Sequence, residues 1–186
     1  MKIGYSVEGS TDRAILAGLK DRWCPQAELV EGHFRGQTGL SQKREIGKTC
    51  LELREKGASL LVFLRDSNNE NWHAVVKDYE AACPADSEHM AVLAVCERNA
   101  ECWLCADADW LAKELNVEPN QFRETDPKDA VAAVLEITRD DKQEPRIAAL
   151  VASAPLERWT RNSRSFRDFY DKLVQKTGVF GCSTSL

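Results

Sequence analysis

Two carboxylates, Glu8 and Asp66, each close an apolar run. The segment Lys2 to Val7 ends in Glu8-Gly9, and "LLVFLR" (60–65) ends in Asp66. Acids held side by side at the ends of neighbouring strands repel one another. A shared Mg²⁺ or Mn²⁺ relieves that repulsion and keeps open positions for water and phosphate oxygens. The competing reading is local. Asp and Asn favour turns for their own reasons, and "DSNN" closes a strand without any chemistry.

Further polar residues fall where they bear on the same site. Asp12 lies one turn past Glu8, either as a supporting acid behind the metal ligands or as an acid favoured by a helix N-terminus. Glu101, in "RNAECWLCAD", stands beside Cys102 and Trp103. A glutamate in that company is expected to be partly buried and to need a metal or an arginine as partner. Asp107 and Asp109 read as a polar helix face. Arg35, in "GHFRGQTG", follows an expected strand among glycines whose N–H groups suit an anion; His33 beside it reads as structural. The densest positive stretch is "RWTRNSRSFRDF", with Arg158, Arg161, Arg164 and Arg167 three apart and Trp159 and Phe166 interleaved. Arginine suits phosphate and aromatics stack on bases. The alternative is a solvated face pairing with Asp168 and Asp171.

The elements that must position these groups alternate. Strands are expected at 2–7, 27–34, 58–65 and 90–96. Helices are expected after a Ser10 or Thr11 cap, at 41–56, 71–83 and 99–110 continuing toward Leu115, at 126–138, at 146–154, and from Ser163 or Ser165 to Gly178. Strand and helix alternate through residue 96, and helices follow. That order predicts an α/β fold with a mainly parallel four-stranded sheet flanked by helices and a helical C-terminal part. Ligands of such sheets bind at the carboxyl ends of the strands, near the point where strand order reverses. No repeat or linker divides the chain, so residues 1–186 read as one domain, with an α/β core at 1–115 and a helical extension at 116–186.

With 186 residues, 43% hydrophobic and 30% charged, the chain is long enough for a sizeable core. No apolar run approaches the roughly 20 residues of a membrane span. The N-terminus turns polar too early for a signal peptide, so a cytoplasmic location is expected. The net charge of −5 argues against a protein that coats nucleic acid unaided, and implies local or shared binding. The seven cysteines read as reduced, buried thiols. Cys102 and Cys105 form a C-x-x-C, but no second such pair accompanies it and it falls mid-helix.

The stretch "SVEGSTDRAIL" resembles the first motif of the Toprim (topoisomerase–primase) fold, where a glutamate follows an apolar strand and precedes a glycine and a helix. "VFLRDSNN" resembles its second motif, an Asp-x-Asp closing a later strand. "NAECWLCAD", "DPKDAVAAVL" and "SRSFRDFYDKL" are similar to stretches of a small bacterial Toprim-like branch near the overcoming-lysogenization-defect nucleases. The resemblance implies a Rossmann-like Toprim fold and a Mg²⁺- or Mn²⁺-dependent nuclease acting on DNA or RNA. It also implies a role in anti-phage defence beside a partner ATPase; the chain has no P-loop of its own. Carried over, Glu8 is the general acid or base or a metal ligand, Asp66 binds metal, and Asn68 replaces the second aspartate. Glu101 falls on a family glutamate, and Asn99 replaces another acid. Arg164 and Arg167 lie in the last matching stretch and are the preferred phosphate ligands. Asn68 and Asn99 leave open a decayed metal site serving as a binding or sensor module. A third reading is a thiol or zinc protein built on Cys96, Cys102 and Cys105.

Overall fold

The computed structural model describes residues 1–32, 39–137 and 143–182. Strands and helices alternate first: β1 (Lys2–Val7), α1 (Ser10–Trp23), β2 (Glu28–Glu31), α2 (Gly39–Glu55), β3 (Leu60–Asp66), α3 (Trp72–Ala82) and β4 (Ala91–Cys96). Helices then follow: α4 (Glu101–Leu104), α5 (Ala108–Leu115), α6 (Asn120–Arg123), α7 (Pro127–Val134), α8 (Glu144–Ser153), α9 (Leu156–Asn162) and α10 (Arg164–Thr177). All strand pairs are parallel, in the order β2-β1-β3-β4. The fold is therefore α/β and Rossmann-like, with a helical C-terminal part. Strand order reverses between β1 and β3.

The strands read as unbroken apolar runs because both sheet faces are covered. Ile3, Tyr5, Val7, Leu60, Val62, Leu64, Val92 and Ala94 share one core with Ile15, Leu16 and Leu19 of α1 and Phe166, Phe169 and Leu173 of α10. Leu61, Phe63, Ala91 and Leu93 pack on the opposite face with Ile46, Cys50 and Leu53 of α2 and Tyr79 of α3. Helix α8 lies hard against α1. A Cβ on Gly18 would collide with the Ala148 carbonyl oxygen and sit 2.6 Å from Val151 Cβ.

Several boundaries differ from the sequence reading. The first helix is capped by Gly9 rather than by Ser10 or Thr11, and Asp12 Oδ2 accepts the Gly9 N–H at 2.7 Å. The helix expected through 99–115 is broken. Asp107 leaves helical geometry, turns its side chain inward and accepts from the Trp110 N–H at 3.1 Å, so α5 starts anew there. Its other oxygen pairs with Arg158 at 3.0 Å. Asp107 is thus buried and paired, not part of an open polar face. Asp126 caps α7 as its sequence predicts, and of the two serines expected to start the last helix Ser163 is the cap of α10.

The cysteines are not all reduced thiols. Cys24, just after α1, and Cys182 are joined by a disulfide across 158 positions; Cys50, Cys83, Cys96, Cys102 and Cys105 remain free. No helix among the described residues is long and apolar enough to cross a membrane.

Candidate active site at the carboxyl edge of the sheet

Parallel pairing brings the ends of β1 and β3 together: Val7 stands opposite Leu64, and Asp66 opposite Cys96 of β4. Glu8 and Asp66 therefore emerge beside the strand-order reversal. Both line a cleft of about 330 Å³ that also takes in Ser10, Thr11, Asp12, Glu101 and Lys128. Four of the acids named from sequence thus share one cavity.

Each acid is placed by a different device. Strand alternation puts Ser6, Glu8 and Arg65 on the α2/α3 side, while Asp66 falls in phase with Leu60, Val62 and Leu64 on the α1 side. Asp12 is held inward by the Gly9 N–H and is only 4% exposed. Glu101 opens α4, which is anchored by the wholly buried Trp103 two residues on. The Trp103 indole stacks on Phe169 at 5.2 Å and donates to Ser165 Oγ at 2.9 Å. Lys128 comes from the first turn of α7.

Crowding sets the electrostatics. Burial raises Asp66 most, the negative charges of Glu8 and Glu101 add to that, and Lys128 and the Ala100 N–H oppose it; the carboxyl is pushed up to about 7. Burial also drives Asp12 well above the usual carboxylate range, helped by Asp66, Glu101 and Glu8. Asp66 Oδ1 is buried and accepts no hydrogen bond from any described residue. Glu8 is treated differently. The buried Arg65 guanidinium stands 3.8 Å from its carboxylate and lies 5.3 Å over the Tyr79 ring. Behind Arg65, the Tyr79 hydroxyl donates to Gln42 at 2.6 Å, and Gln42 donates to Ser6 Oγ at 3.3 Å. One acid of the pair has a fixed countercharge beneath it, and the other does not.

A buried carboxylate oxygen without a donor, in a cleft with an excess of acids over bases, fits a hard divalent cation. Among the described residues, no group of three or more His, Cys, Asp or Glu side chains is arranged to hold a metal ion. The fit is therefore to an ion held by one or two carboxylates and otherwise by water, the usual habit of Mg²⁺.

The remaining sequence candidates fall elsewhere. Asn68 is exposed in a turn with φ 50°, its N–H donating to the Arg98 carbonyl, and it does not line the cleft. Asn99 accepts from the Cys102 N–H at 3.2 Å, as a local turn cap. Arg167 spends its guanidinium on the Thr160 and Arg161 carbonyls at the end of α9, at 2.7 and 3.5 Å. Arg164 lines a separate groove with Ser67 and Arg98. Arg35 and His33 lie outside the described residues. Burial pushes Cys105 up to about 12 and raises Cys102, so both sulfurs favour the thiol form in the metal-free chain.

Sequence reasoning did not single out Lys128 or Arg65. The signal for Arg65 was its position as the sole charge inside "LLVFLR"; for Lys128 it was its place directly after the Asp126-Pro127 helix start. No family model matches the chain, and no curated protein or solved structure matches it either.

Proposed function

We propose that the protein is a Mg²⁺- or Mn²⁺-dependent phosphodiester hydrolase acting on nucleic acid, with Glu8 and Asp66 as the working pair. The observation that carries this reading is the convergence of both acids, with Asp12 and Glu101, in one cleft at the strand-order reversal. The resemblance of "SVEGSTDRAIL" and "VFLRDSNN" to Toprim motifs points the same way.

Asp66 and Glu8 would hold the ion, with Glu101 close enough to act on Asp66 electrostatically. When bound, the ion polarises a phosphate oxygen and makes a coordinated water more acidic. Arg65 sets a positive charge 3.8 Å from the Glu8 carboxylate and so favours its ionised form. Lys128 offers the cleft an exposed ammonium suited to a non-bridging phosphate oxygen. Asp12 supports the α1 entry by accepting the Gly9 N–H. A role as a defence effector beside a partner ATPase is suggested by the resemblance alone, while the net charge of −5 means that the chain does not attract polyanions by net charge.

The test is cleavage of labelled single- and double-stranded DNA and RNA with Mn²⁺, by the parent, Glu8→Gln and Asp66→Asn. Metal-dependent cleavage by the parent alone supports the reading. Equal activity in all three contradicts it. A second reading, a metal-site relic serving as a binding module, is favoured by the exposed Asn68 and by the lack of a three-ligand group among the described residues. It predicts nucleic-acid or protein binding without cleavage under any metal.

A further inference from the structure

Directly after the β3 terminus, Ser67 lines a second opening, of about 570 Å³. The two adjoin in sequence, since Asp66 lines the cleft and Ser67 lines the groove. Their chemistry differs. The cleft has four carboxylates against Lys128. The groove balances Arg98 and Arg164 against Glu70 and Glu97, and adds His73 and the amides of Asn69 and Asn71.

Its floor is built. Ser67 is buried, and its Oγ accepts the Arg98 N–H at 2.8 Å. Asn71 caps α3 by accepting the His73 and Ala74 N–H groups. Trp72 is 8% exposed, and the exposed imidazole of His73 stacks on its indole with ring centroids 3.6 Å apart. An aromatic ring already supported on one face by a fixed indole is a stacking ledge for a further flat ring. Arg98 is tied to Asp126. Arg164 has no ion pair among the described residues, and it stands at the first position of α10 with its charge exposed.

We propose that this groove holds the nucleotide adjoining the reacting phosphate in a single-stranded DNA or RNA. Its base stacks on His73, and its phosphate meets Arg164. Stacking on a surface ring requires a base free of its duplex partner, which selects a single strand. The mixed amides and carboxylates offer donors and acceptors to a base edge. With two arginines against two glutamates in its lining, the groove repels the strand less than the acid cleft does. The place of this nucleotide beside a reacting phosphate rests on the hydrolase reading; the binding itself does not.

The experiment is fluorescence anisotropy with short labelled single strands of DNA and of RNA, and the matching duplexes, in EDTA at low salt. Proteins are the parent, His73→Ala, Arg164→Gln, Asp66→Asn and the control Arg161→Gln, which alters an exposed arginine paired with Glu157. Expected is single-strand binding weakened roughly tenfold by His73→Ala. Arg164→Gln is expected to weaken it too and to flatten its salt dependence by about one phosphate contact. Asp66→Asn and Arg161→Gln bind as well as the parent or better. No binding by the parent, tighter binding to duplex, or parent-like binding by both His73→Ala and Arg164→Gln overturns the proposal. Because metal is absent and Asp66→Asn is included, loss of cleavage alone leaves this result unmoved, so the two readings fail separately.

Discussion

Arg65 lies 3.8 Å from the Glu8 carboxylate while its Nε donates to the Asp66 backbone carbonyl at 3.1 Å, so a single buried guanidinium faces the side chain of one acid of the cleft and only the backbone of the other. Alternation along β3 produces this asymmetry. Arg65 turns to the α2/α3 side, where its guanidinium lies over the Tyr79 ring, and Asp66 turns to the side of α1. Removing Arg65 leaves a partly buried carboxylate without that nearby countercharge. Arg65→Met is expected to lower the unfolding free energy by about 3 kcal/mol in urea melts. A change below half that size would show that Glu8 draws little from the pair.

The raised Asp66 carboxyl gives the metal-free protein a definite pH dependence. Its folded value, about 7, lies above its unfolded value, so the folded state binds a proton more readily between the two. Asp12 shifts in the same direction. For these groups stability grows as pH falls and is lost as pH rises through about 7. In EDTA, the melting temperature should rise from about pH 8 to about pH 6, and Asp66→Asn should flatten most of that rise. A parent curve that falls over this range would count against the burial of Asp66.

Lys128 offsets the cleft's negative charge and lowers Asp66 toward ionisation. Lys128→Met should therefore tighten Mn²⁺ binding severalfold, because the cation no longer meets a competing ammonium. If Lys128 meets substrate phosphate, the same variant loses cleavage despite the tighter metal. Isothermal titration and a cleavage assay on one preparation separate the two effects.

The Cys24–Cys182 disulfide closes a loop of 158 positions. Replacing both with serine should cost roughly 2–5 kcal/mol, mostly by freeing the unfolded chain. Thiol titration of the denatured protein should count five groups before reduction and seven after. Seven before reduction would show that the bond does not form.

The sheet was readable because buried parallel strands announce themselves as apolar runs. The segment 2–7 matches β1, and "LLVFLRD" became β3 with its acid in place. Asp126-Pro127 and Ser163 marked helix starts by local capping chemistry, which needs no distant partner. The misses have physical reasons, most often a partner far away in sequence. Asp107 breaks a helix because it caps α5 and pairs with Arg158, 51 positions on. Cys24 finds Cys182 with no local sign of either. Asn68 sat two residues after Asp66, a strand's same-face spacing, but the chain had already turned left-handed there, a conformation Asn tolerates well. At the site, the four acids were readable, because strand ends and helix starts follow from pattern. The Arg65 support and Lys128 depended on packing between elements.

The most direct test of the paired-carboxylate site is a thermal-shift titration with Mn²⁺ and Mg²⁺ on the parent, Glu8→Gln and Asp66→Asn. Metal is predicted to stabilise the parent, and both variants to lose most of that gain. No stabilisation of the parent, or equal stabilisation of all three, would contradict a metal held between Glu8 and Asp66.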